Sequence, residues 1–166
     1  MIAIRFATVD DAAAIFTALA GIADTVKERH KLKSSPDDIR RFGFGERPAF
    51  ETLIAEIDGQ FAGCCLYFPS FSTWIGRPGV YVQDFYVAES FRGQGVGERL
   101  LRRLAAVTRR RGGCYMRLAV DTGNHHAQAF YTRNGIEHSD TEQIHAAYDD
   151  AFDRLADADA APEGTS

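Results

Sequence analysis

Two hydrophobic periods alternate along the chain. Ile2 to Phe6 carry the period of a short half-buried strand, and apolar residues then recur at helical spacing through Ile15, Leu19 and Ile22. Between them, Thr8-Val9-Asp10-Asp11 offers an N-cap hydroxyl with an acid three residues on, the pattern that opens a helix. Ser35 before Pro36 starts a second short helix, Asp37 to Phe42, stopped by the glycines of GFGERP. The polar segment KERHKLKSS between the two helices reads as a loop or a mobile helix end.

Strand signals then dominate. Phe50 to Ile57 and Phe61 to Phe68 flank Asp58-Gly59, a pair suited to the positive φ angles of a two-residue hairpin turn. A turn-rich link, PSFSTWIGRPG, leads to a strand over Val80 to Val87, so three successive strands predict an antiparallel meander. Beyond the segment RGQGVG, the residues Val96, Leu100, Leu104 and Val107 give one apolar helical face, ended by Gly112-Gly113. Cys114 to Val120 reads as a strand, and Asn124 caps a helix that presents Ala127, Phe130 and Tyr131 and ends at Asn134-Gly135. Gln143 to Tyr148 is expected as a final strand and Asp149 to Ala156 as a closing helical turn. The order βααβββαβα(β) predicts one α+β domain over residues 1–156 with a sheet of mixed pairing, followed by a mobile acidic tail at 157–166.

Composition narrows the function. The 166 residues are 45% hydrophobic, enough for one core without disulfides or metal. A net charge of −4 argues against nucleic-acid binding, although Arg99, Arg102, Arg103, Arg109, Arg110 and Arg111 stud one helix. They form a solvated face or serve an anionic ligand near the helix start. No apolar run is long enough to span a bilayer and the N-terminus lacks a secretory core, so a cytoplasmic protein without membrane contact is expected. Cys64, Cys65 and Cys114 read as reduced core residues, the first two pointing to opposite faces of their strand. His125 and His126 diverge around a helix and no third ligand stands at zinc spacing, so no metal is expected.

The stretch VQDFYVAESFRGQGVGERLLRRL, residues 82–104, carries the clearest chemistry. Its glycines lie between a strand and a helix whose first amides lack intrahelical partners, and those amides and the helix dipole favour an anion such as a pyrophosphate. Glycines at 93, 95 and 97 make GxGxG rather than the dinucleotide GxGxxG, and the GK[ST] end of an NTP-binding loop is missing. Glycines that only let the helix pack on the sheet are the plain alternative.

Further residues add a family resemblance. The strand, the loop with Arg92, Gly95 and Gly97, and the later helix together resemble the GNAT superfamily of acyl-CoA-dependent N-acyltransferases, whose phosphate loop reads (Q/R)xxGx(G/A). GFGERP at 43–48, TWIG at 73–76, QDFYV at 83–87, RGQGVG at 92–97 and N-x5-FYxRNG over 124–135 resemble its diamine (spermidine/spermine) N-acetyltransferase branch. The resemblance implies a mostly antiparallel sheet splayed between the fourth and fifth strands, with helices on both faces. It also implies acetyl-CoA as acyl donor, a small-molecule primary amine as acceptor and a homodimer.

Site roles follow from the same resemblance. Phe85, Tyr86 and Val87 would line the slot for the pantetheine arm, with the Val87 amide on the thioester carbonyl. Arg92, Gly93, Gln94, Gly95, Val96, Gly97 and Glu98 would hold the pyrophosphate, and Asn124 would contact the cofactor's arm or simply cap its helix. Tyr131 matches the tyrosine that protonates the departing sulfur, against a plain reading as a core side chain. Gln83 stands where the branch has a glutamate base, which leaves Asp84 as base, ammonium anchor or structural hydrogen-bond acceptor. Trp74, Gln83, Asp84 and Glu142 are candidates for the acceptor pocket, with a diamine or polyamine leading and a lysine-like amino acid next. A non-catalytic acyl-CoA-binding module is the competing class.

Overall fold

The computed structural model describes residues 1–158. In chain order the elements are β1 (Ile2–Phe6), α1 (Ala12–Thr25), α2 (Pro36–Phe44), β2 (Glu51–Ile57), β3 (Gln60–Ser72), β4 (Arg77–Val87), α3 (Val96–Arg110), β5 (Met116–Leu118), α4 (His125–Arg133) and α5 (Asp149–Asp157). The sheet order is β1-β2-β3-β4-β5, antiparallel through β4 and parallel between β4 and β5.

Local chemistry accounts for the boundaries. Ser35 Oγ accepts from the Asp38 amide at 3.2 Å while the Ser35 amide donates back to the Asp38 carboxylate at 2.8 Å, a reciprocal cap that starts α2. Asp58 and Gly59 take φ of 50° and 76°, the geometry that closes β2 onto β3 with only two residues. Near the N-terminus, Arg5 bridges Asp11 at 2.7 Å and Glu56 at 2.7 Å, tying β1 to the start of α1 and to β2. That guanidinium holds the Asp11 carboxyl down at about 2.

The sheet separates two apolar layers. On one face Leu53, Cys65, Tyr67, Val80 and Val82 pack against Val96, Leu100 and Leu104 of α3. On the other, Ile54, Cys64 and Leu66 meet Ala12, Ile15 and Leu19 of α1 and Ile39 of α2. The adjacent cysteines thus point into different layers, as strand alternation requires. Cys114 departs from the expected core position and is exposed, because it lies just before β5 and outside both layers.

Three expectations change. PSFSTWIGRPG is mostly strand: β3 runs to Ser72, β4 starts at Arg77, and only Thr73 to Gly76 turn. Its Pro, Ser and Gly content suggests a loop, but cross-strand pairing as far as Ser72↔Arg77 outweighs local propensity. Gln143 to Tyr148 forms no strand; β5 pairs with β4 alone, and Ile144 and Tyr148 are exposed with no ladder to join. The expected tail begins inside α5, which reaches Asp157, and the remainder of that tail, residues 159–166, lies outside the described residues.

Candidate active site

One extra residue opens the sheet. Tyr67 pairs with Val82 but Leu66 pairs with Asp84, so Gln83 is a bulge in β4. On the other side the parallel ladder holds only Val80↔Met116, Tyr81↔Arg117 and Val82↔Leu118, then stops as β4 continues to Val87. The Ala88 amide donates to Ala62 on β3 at 2.9 Å. Amide directions alternate along a strand, so the Val87 N–H faces the open side.

Below this edge lies the glycine loop. Gly93 and Gly95 have φ of 75° and 81°, and a Cβ at either would meet nothing within 4 Å, so it is backbone rotation, not crowding, that calls for glycine. Arg92 Nε donates to the Val87 carbonyl at 3.1 Å and Gln94 Nε2 to the Ser90 carbonyl at 3.0 Å, which lash the loop to the end of β4. The Arg99 amide donates to Gly95 O, and the Val96, Gly97 and Glu98 amides precede it at the positive end of a fifteen-residue helix. Gly97 serves a different purpose: a Cβ there would stand 2.9 Å from the Phe130 ring, so its absence lets α4 approach α3.

Helix α4 brings Tyr131 to the α3 side of the slot. Its ring meets Phe85 edge-on at 6.1 Å and Phe130 at 5.3 Å between centroids. Burial pushes the phenol well above its ordinary value, with Cys65 adding to the effect, so it remains a proton donor throughout the physiological range. Asn124 Oδ1 accepts from the Ala127 amide at 3.1 Å, capping α4. His125 and His126 belong to no group of potential metal ligands among the described residues.

Asp84 faces the opposite layer. The bulge leaves Val80, Val82, Phe85 and Val87 on the α3 side and turns Asp84 and Tyr86 towards α1, whose Gly21 leaves room for the Tyr86 ring. Asp84 is half-buried near Cys64 and Leu66 and makes no side-chain hydrogen bond among the described residues, and burial pushes its carboxyl up to about 6. Burial also pushes the Cys64 thiol up to about 12 and the Cys65 thiol well above its usual value, which keeps both protonated and unreactive. Tyr131 and Asp84 therefore flank the open edge of β4 from the two sides of the sheet.

The remaining candidates are dispersed. Gln83 is exposed at the bulge. Trp74 is 99% exposed on the β3–β4 turn, beyond the Arg77 end of β4, which is itself about 30 Å from Val87 at 3.3 Å per paired residue. Glu142 sits in an irregular segment, paired with Arg117 of β5. One residue near the edge escapes the sequence reading, Arg117, whose only signal was a polar position between Met116 and Leu118, while Phe130, expected on the apolar face of its helix, closes α4 on Gly97.

A model of the acetyltransferase (GNAT) family matches residues 18–136. A thialysine N-epsilon-acetyltransferase of Mus musculus is 37% identical over 142 residues, covering 81% of this chain and 83% of that protein. The Homo sapiens spermidine/spermine N(1)-acetyltransferase-like protein 1 is 28% identical over 139 residues, covering 80% of this chain and 20% of that one. In structure, an integron cassette protein from the mobile metagenome of V. cholerae superposes with a TM-score of 0.75 at 19% identity, covering 93% of this chain and 97% of its own, a likeness of fold.

Proposed function

The chain belongs to the acetyltransferase (GNAT) family, and from that premise we propose that acetyl transfer from acetyl-CoA to the primary amine of a small molecule takes place at the open edge of β4. The observation that carries this reading is the end of the β4–β5 ladder at Val82↔Leu118, which leaves the Val87 amide without a strand partner and directed into the gap. The residues fit the donor: a preset N–H for a carbonyl that gains charge, and helix amides behind glycines for a pyrophosphate. Val87 takes the first role and Gly93 to Glu98 the second, while Arg92, held by Val87 O through Nε, keeps its terminal amino groups for phosphate oxygens.

Proton transfer divides between the two faces. An alkyl amine attacks only when neutral, and its pKa near 10 exceeds that of an ordinary carboxyl by about six units. Burial of Asp84 narrows the gap to about four units, so Asp84 anchors the incoming ammonium and accepts its proton directly or through water. Gln83 cannot share the task, since an amide is no base at neutral pH. Tyr131, kept protonated by burial, donates to the sulfur as thiolate charge builds there.

The mouse relative's name supports a lysine-like amine and the human one a polyamine as acceptor. Family resemblance supports a homodimer, and three free cysteines support a reducing, cytoplasmic setting. A panel of amines assayed for acetyl-dependent thiol release tests the proposal. Turnover with at least one small amine is expected; tight CoA binding with no turnover would instead make the chain a non-catalytic acyl-CoA-binding module.

A further inference from the structure

Beyond Asp84, the sheet face on the α1 side carries features that acetyl transfer alone does not explain. Phe68 and Tyr81 are cross-strand partners whose rings stack at 5.2 Å, and neither belongs to the apolar cluster beneath α1 and α2. Tyr81 is also the partner of Arg117 on β5. Met116 and Leu118 pack into the α3 layer, so alternation turns Arg117 to the same side as Tyr81, where its guanidinium pairs with Glu142. A carboxylate, a pair of stacked rings and an ion pair thus follow one another across one face. The β3 partners of Tyr81 and Asp84, Phe68 and Leu66, are two residues apart, so the bulge leaves Tyr81 and Asp84 about 7 Å apart along the sheet.

We propose that the Arg117–Glu142 pair reads the carboxylate and ammonium of an α-amino acid whose distal amine lies at Asp84, with the Phe68–Tyr81 stack as the floor under its aliphatic or thioether arm. The inference rests on the acetyl-transfer reading above and narrows its acceptor to a lysine-like amino acid. Both members of the ion pair are 58% exposed, so the pair adds little to folding and exchanges partners readily. An incoming zwitterion supplies one charge to each: its carboxylate meets Arg117, which is suited to bidentate recognition, and its ammonium meets Glu142. A second ammonium of a polyamine would meet a Glu142 already neutralised by Arg117, and its chain has nothing to offer the guanidinium. The aromatic floor favours an uncharged arm and accommodates a polarisable sulfur.

Lysine and cadaverine differ only by the carboxylate, which makes them a matched pair, with thialysine as a third acceptor. The wild-type protein should favour lysine or thialysine over cadaverine and spermidine in kcat/KM. Arg117→Met should lower the lysine-to-cadaverine selectivity by roughly tenfold or more, chiefly through KM, as expected when a hydrogen bond to a charged group is lost. Glu142→Gln should instead raise KM for lysine and cadaverine alike, since both carry the ammonium it meets, while CoA affinity and the melting temperature check that each variant is folded. If Arg117→Met keeps the wild-type selectivity, if Glu142→Gln leaves KM for lysine unchanged, or if the wild-type protein prefers cadaverine or spermidine, the zwitterion reading falls and acetyl transfer stands. If no amine turns over, both fall together.

Discussion

The Asp84 carboxyl combines a site role with a cost to folding, and Asp84→Asn separates the two. Burial raises this carboxyl from 3.8 to about 6, with no hydrogen bond among the described residues to offset desolvation. Between these values the folded chain retains a proton that the unfolded chain has released. Stability contributed by this group is therefore full below about pH 4, falls as pH rises through 6, and stays lowered above it. A shift of about two units at 1.36 kcal/mol each sets a ceiling near 3 kcal/mol at neutral pH. Asparagine keeps the shape without the charge, so the variant should match the wild type near pH 4 and exceed it by about 2–3 kcal/mol at pH 8. For a chain of this length that is a rise of about 5–10 °C in Tm. Urea unfolding followed by far-UV circular dichroism across that range measures the gap. Turnover should fall by about a hundredfold or more if Asp84 takes the amine proton. A stability gap independent of pH, or a wild type more stable than the variant at pH 8, would refute the buried-charge account. Greater stability with undiminished turnover would remove Asp84 from the chemistry.

Further outcomes are expected elsewhere. Tyr131→Phe should lower kcat by about a hundredfold while CoA affinity, read by calorimetry, is retained; unchanged turnover removes Tyr131 as the proton donor. Gly95→Ala meets no neighbour but forces a side chain into φ of 81°, so it should cost about 1 kcal/mol of stability and weaken CoA binding. Gly95→Trp should abolish that binding, and unaltered CoA affinity in a folded Trp variant would separate the loop from the pyrophosphate. Arg5→Met should destabilise by about 1 kcal/mol at pH 7, given the solvent exposure of the pair. Because the Asp11 carboxyl is held down at about 2, the stability from this contact is present above about pH 4 and lost as pH falls towards 2; denaturant midpoints of wild type and variant should converge there.

Local patterns made much of the fold legible. The Asp58-Gly59 turn, the Ser35-Pro36 helix start and the apolar face of α3 are short-range signals, and each formed where the sequence placed it. Where pairing decided the outcome, the sequence was a poor guide: the Pro- and Ser-rich residues 69–72 joined β3, and Gln143 to Tyr148 lacked a partner strand. The glycine loop was legible as backbone that turns into a helix, with positive φ at Gly93 and Gly95, whereas a role for Tyr131 was suggested only by the resemblance of FYxRNG to the family. Which face Asp84 takes was not legible, since it depends on a bulge set by the registers of two strands at once. Arg117 gave no signal for the same reason: what places it beside Tyr81 is a parallel pairing across thirty-six residues of chain.

The bulge at Gln83 sets a parity. Every position from Asp84 to Val87 owes its side of the sheet to one residue that stands outside the alternation, so the same sequence paired without the bulge would present the opposite faces. Deleting Gln83 would let Asp84 follow Val82 in regular alternation, leaving Phe85 and Val87 in the α3 layer and Asp84 on the α1 side; pairing all of β4 without the bulge is what would exchange them. For redesign, or for aligning a distant relative, a one-residue gap at Gln83 thus preserves the faces of the segment, whereas an ungapped match to a regular strand exchanges them.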